Sequence, residues 1–187
     1  MDEVTFDFSF LKKYKSHNRK KATLFLALSR DNIILKPFIV YCSNIEQKKE
    51  THPAIVTTQT ETGDPDTDCL KRWVNDCVLP YTRGSPALLI LDIWENHRDE
   101  DFRRLLEQNR IRVIELPAGV SCILNSLKHI IKFLIDSVTG YAKQSDCCSR
   151  KHKRVKQNMV NQWIMESLKQ VLGSKANLLY SAFDCFK

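Results

Sequence analysis

A chain of 187 residues, 43% hydrophobic and 27% charged, can bury a full-sized core, and its length predicts a single domain over residues 1–187. No apolar run approaches the roughly 20 residues of a membrane span, and the opening MDEVTFDFSF lacks the basic-then-apolar plan of a secretory signal, so membrane and secreted classes are not expected. The net charge of +7 favours a partner with a negative surface, nucleic acid foremost, and leaves the oligomeric state open.

In chain order, Val4, Phe6, Phe8 and Phe10 alternate with mostly polar residues, as a strand with one buried face does. ATLFLAL and ILKPFIVYC follow as short apolar runs on either side of the turn-like Ser29-Arg30-Asp31-Asn32, which predicts three consecutive strands in a meander. Residues 44–68 form a polar stretch with no predicted element, and then a helical period sets Leu70, Trp73, Val74, Cys77 and Val78 on one face, with Asp66, Thr67 or Asp68 as its cap. ALLILD at 87–92 reads as an interior strand covered on both sides.

DEDFRRLLEQN is an amphipathic helix built on Phe102, Leu105 and Leu106, and IRVIEL is another strand, so strand, helix and strand predict a right-handed parallel crossover. A helix is expected from Ser121, with Leu124, Leu127, Ile131, Leu134 and Val138 inward, and a last long one carries Val160, Trp163, Ile164, Ser167, Leu168, Val171 and Leu172. The expected class is α/β with a mixed central sheet, a three-strand meander plus parallel strands flanked by helices, and this element order is that of the RNase H-like fold.

Seven scattered cysteines with no C-x-x-C pair read as reduced thiols, and Cys147-Cys148 with His152 do not supply a zinc tetrahedron. The positive charge concentrates at residues 12–21, with Lys12, Lys13, Lys15, Arg19, Lys20 and Lys21, and at residues 149–156, with Arg150, Lys151, Lys153 and Arg154. Both segments are candidate phosphate contacts or solvated connectors, and SRKHKRVK also fits a nuclear-localisation segment.

In an open α/β sheet, ligands gather beyond the carboxyl ends of the parallel strands, which makes Asp92, at the end of ALLILD, the first candidate for a site. Taken alone it serves equally as a cap for the turn that follows. His97 reads as a helix-entry residue, Trp73 and Trp163 as core, and Trp94, in the site loop, as a cover over a vacated cavity or an exposed aromatic for a partner.

LLILDIWENH resembles the L-x-L-D-x-x-x-x-H block of pogo, Tigger and centromere-protein-B-like transposases, in which the aspartate is the second acid of a DDE triad. MDEVTFDF is similar to that family's D-E-T-x-F block, which makes Asp2 the first acid. IRVIELPAGVSCILNSLKHII resembles the segment in which L-P-x-x-T precedes L-Q-P-L-D, with Lys128 at the place of the third acid, and ANLLYSAFDCFK resembles the closing helix. The family's upstream helix-turn-helix DNA-binding region is missing, so the resemblance implies an excised or shortened, transposase-derived domain.

The family's chemistry needs three acids because two magnesium ions about 4 Å apart must be held in octahedral oxygen geometry. A lysine has donors only and no lone pair for a metal, so Lys128 removes a ligand and adds a repelling charge, on the order of 4 kcal/mol per unit-charge pair at about 4 Å in an intermediate dielectric. Lys128 is expected either to act as an internal counterion to Asp2 and Asp92 or to reach solvent along its apolar stem. Glu115 and Asp136 are poorly spaced as substitutes, whereas Glu95 lies nearer Asp92.

The expected function is a catalytically silent transposase-like domain of a nuclear protein that binds DNA or chromatin proteins, with no cofactor. The alternative is an active DDE endonuclease with Asp2, Asp92 and Glu95 holding Mg2+ or Mn2+. In that case alone Asp2 and Asp92 are metal ligands.

Overall fold

The computed structural model describes residues 1–8, 21–31, 33–43, 45, 53–117, 127–145 and 156–174. β1 (Asp2–Asp7), β2 (Lys21–Leu26) and β3 (Phe38–Cys42) form the expected antiparallel meander, in which Asp2 faces Leu26 and Leu24 faces Ile39. A fourth strand, β4 (Val56–Thr60), pairs parallel to β3 at the sheet edge. It lies within the polar stretch that was expected to hold no element. Its threonines favour extended backbone while neither of its faces is fully buried, so no alternating apolar signal marks it.

β5 (Ala87–Asp92) and β6 (Ile111–Leu116) make a second, parallel pair, joined through α3 (Glu100–Gln108). The expected parallel pair is thus present, and the chain is an α/β protein with a mixed sheet. The main-chain nitrogen of Met1 donates to the Ile90 carbonyl at 2.9 Å, which sets the opening of β1 against β5. The predicted strand residue Phe10 and the helical start at Ser121 lie outside the described residues.

β2 and β3 are buried on both sides because their alternating side chains feed two cores. Leu24, Leu26, Ile39 and Tyr41 pack with Phe6 and Phe8 under α4 (Leu127–Gln144) and α5 (Gln157–Ser174). Phe25, Phe38 and Val40 pack on the opposite side against Trp73, Leu91, Phe102 and Ile111. Trp73 meets Phe25 edge-on at 6.1 Å, and Trp163 meets Phe8 at 6.0 Å, so both tryptophans are core residues as expected. The Tyr41 hydroxyl donates to the Asn161 side-chain oxygen at 2.6 Å, which satisfies this buried polar tip and ties α5 to β3.

The helical period after residue 66 is α1 (Thr67–Trp73), a π turn at Val74–Val78 and α2 (Leu79–Thr82) in one continuous run. Asp66 caps it by accepting from the Cys69 backbone N–H at 2.8 Å. Pro80 has no N–H to close a regular helical bond, and the wider π turn directly before it relieves that mismatch. ALLILD, expected to be covered on both sides, is not, since Leu88 is 56% exposed. Leu89 and Leu91 face the second core, while the apolar run at Leu88 and Ile90 was read as burial that only one face provides.

Gly63 turns the chain back over the ends of β2 and β3 with φ +80, and a Cβ there would lie 2.9 Å from both the Cys42 nitrogen and the Lys21 oxygen. Substitution Gly63→Ala therefore combines left-handed backbone strain with a clash against main chain and is expected to lower stability by about 1–3 kcal/mol in urea denaturation. Burial pushes the Cys69 thiol up to about 11 and the Cys77 thiol up to about 12. Because these folded values lie above the unfolded value of about 8.5, their stabilising contribution is complete below that pH and lost as pH rises through the folded values. The melting temperature is expected to fall above roughly pH 9, less steeply in a Cys69→Ala, Cys77→Ala double variant.

Candidate functional site at the end of β5

The carboxyl end of β5 is built by a turn that several elements hold in place. Asp92 ends the strand, and a 3-10 turn at Glu95–Arg98 leads into α3, whose cap Asp99 accepts from the Phe102 backbone N–H at 2.9 Å. His97 is 0% exposed, and its Nδ1 lies 3.0 Å from the Asp92 carbonyl oxygen. Its ring meets Trp94 edge-on at 5.1 Å and stacks near Phe102 at 6.2 Å. His97 thus anchors the turn from inside the second core, which is more than the helix-entry role expected of it. Trp94 packs half-buried against the same core.

Arg103 extends the anchor: its Nε donates to the His97 carbonyl at 2.7 Å and its guanidinium pairs with Glu115 on β6. Arg98 adds a second contact to Glu115 at 3.8 Å. The Asn96 side chain donates to the Pro65 carbonyl at 3.1 Å and fastens the other side of the turn to the α1 cap. Removing a charge from this half-buried cluster would leave its partners imperfectly solvated, so the cluster fixes where Asp92 ends.

The strand register separates Asp92 from Glu115. Leu91 is opposite Glu115, and Asp92 is opposite Leu116, so by strand alternation the two carboxylates lie on opposite faces of the pair. Glu115, already engaged by two arginines, is not a substitute ligand beside Asp92. Asp136 is exposed on α4. Glu95 is exposed on the turn directly after Asp92.

Asp2 opens β1 one residue beyond the nitrogen that bonds to Ile90, so its main chain begins beside the strand that Asp92 ends. Lys128 is in the first turn of α4. The side chains of Asp2 and Lys128 lie outside what the structure describes. Among the described residues, no three His, Cys, Asp or Glu side chains cluster as metal ligands. Of the basic residues singled out in sequence, Lys21 alone is described, and it pairs with Asp64. Lys12, Lys13, Lys15, Arg19, Lys20, Arg150, Lys151, Lys153 and Arg154, with Cys147, Cys148 and His152, lie outside the described residues.

Sequence reading missed Arg103, whose two partners stand six positions before it and twelve after it, because no local spacing signals that closure. Replacing His97 with phenylalanine keeps an aromatic ring but removes the nitrogen at the Asp92 carbonyl, and a loss of about 1–3 kcal/mol in urea denaturation is expected. An unchanged midpoint would assign the anchor to packing alone. Comparison with family models, with curated proteins and with solved structures finds no match for this chain.

Proposed function

We propose that this chain is a transposase-derived, RNase H-like domain without strand-cleaving activity, acting in the nucleus as a scaffold that meets DNA or chromatin proteins. The meander followed by the parallel pair β5–β6 fits the element order such a domain requires, and the Met1 to Ile90 bond sets the start of its first acid block beside the carboxyl-terminal half of its second acid strand. The observation that carries the reading is the lysine at 128, on the first turn of the helix that follows β6 among the described residues. A metal pair bridging strand ends needs a third carboxylate there, and an ammonium offers no lone pair and repels the ions.

The net charge of +7 suits a polyanionic partner, and the two basic segments are the natural contacts with it. A second reading, an active nuclease using Asp2, Asp92 and Glu95 with Mg2+ or Mn2+, draws on the exposure of Glu95 on the turn after Asp92. The two readings part in a plasmid-nicking assay with Mn2+. The expected result is no metal-dependent cleavage, with the wild-type chain and Asp92→Asn indistinguishable. Nicking by the wild type that disappears in Asp92→Asn would establish the nuclease.

A further inference from the structure

The amino-terminal end of β5–β6, opposite to Asp92, carries a surface of another character. An open groove of about 940 Å³ runs between the end of α3 and the opening of β6, lined in part by Leu88, Glu107, Arg110 and Arg112. A neighbouring groove of about 670 Å³ shares Pro86 and Ala87 with it and reaches Tyr81 and Arg83. Leu88 is 56% and Ile114 46% exposed, and both lie on the face turned away from α3. Among the described residues β6 pairs with β5 alone, and none of them adds a strand to its outer edge.

Arg83 and Arg110 adopt left-handed backbone conformations, with φ of 50 and 57, in turns where glycine carries no steric penalty. The Arg110 turn is tied down at both ends: its nitrogen donates to the Glu107 carbonyl at 2.9 Å, and its own carbonyl accepts from the Ala87 nitrogen at 3.2 Å. Each turn therefore sets the backbone of an exposed arginine at the rim of a groove. On β6, Arg112 and Ile114 are two positions apart and so present a charge and an aliphatic group on the same face.

We propose that this rim docks an extended segment of a partner protein that adds to the outer edge of β6, with an acidic residue opposite Arg112 and an aliphatic residue two positions away opposite Ile114. Main-chain hydrogen bonds supply the general affinity of strand addition, and alternate side chains supply the choice of partner. Arg110, in the turn that leads into β6, extends the positive field at the start of that edge. A nucleic-acid backbone fits less well, because it brings no apolar group to cover Leu88 and Ile114 and would meet the Glu107 carboxylate at the groove. The proposal stands on the geometry of β5–β6 and does not depend on the transposase-derived reading.

The test uses the full chain and a labelled peptide repeating Glu-Thr-Val-Thr, followed by fluorescence anisotropy. Saturable binding is expected, weakened about tenfold or more by Arg112→Glu and by Ile114→Ser, and unchanged by Lys169→Glu on the distant α5. Arg110→Glu, in the turn outside the strand, provides a variant whose effect does not depend on the strand tolerating a substitution, and it too is expected to weaken binding. Equal binding of a Lys-Thr-Val-Thr peptide, absence of binding, or affinity insensitive to Arg110→Glu and Arg112→Glu would overturn the proposal. So would displacement of the peptide by a short DNA duplex whose own affinity falls in Arg112→Glu, which would assign the rim to nucleic acid.

Discussion

Burial of β2 and β3 on both faces is the constraint from which the rest of the described structure follows. With Leu24, Leu26, Ile39 and Tyr41 committed to one core and Phe25, Phe38 and Val40 to the other, neither strand has a face left for solvent. Their main-chain groups must then pair sideways, and β1 and β4 supply those partners at the two edges. Each large apolar side chain placed there contributes about 1.5–3 kcal/mol, so the helices on both sides are held by area more than by their own propensity. The alternation of the strands decides which helix covers which face: α4 and α5 on one side, the α1 run and α3 on the other.

From this frame the end of β5 inherits its geometry. Leu91 is fixed in the second core, so Asp92, the next residue, must emerge on the other face. The turn beyond it is held by a buried imidazole and then by an arginine shared between a carbonyl and a carboxylate on β6. The same connection leaves the opposite end of the strand pair with arginines at its rim. One parallel pair therefore presents an acid at its carboxyl end and cations at its amino end.

Much of this frame could be read from single residues. The alternation at Val4, Phe6 and Phe8 announced β1 and the spacing of Phe102, Leu105 and Leu106 announced α3, because one buried face leaves its period in the sequence, while β2 and β3, buried on both faces, showed as the two unbroken apolar runs. β4 left no such trace, since an edge strand of threonine and glutamine buries neither face fully. The ALLILD run misled in the opposite direction: a stretch of aliphatic residues states affinity for an apolar surface without stating that one is present, and Leu88 lies exposed. The helical period from Leu70 to Val78 gave no sign of the π turn at Val74–Val78.

At the site, Asp92 was legible because a charge closing an apolar strand is a local feature. The bonds from Arg103 to His97 and Glu115 were not, because they exist only once the crossover closes. In the transposase-derived reading proposed above, the chemistry of the site turns on Lys128, a positive charge at the position where that reading calls for a metal-bridging acid. Calorimetric titration of Mn2+ into the full chain and into Lys128→Asp addresses it directly. The wild type should show no saturable binding, and restoring the acid should create it. Stoichiometric binding of Mn2+ by the wild type that vanishes in Asp92→Asn would contradict the proposed silent site.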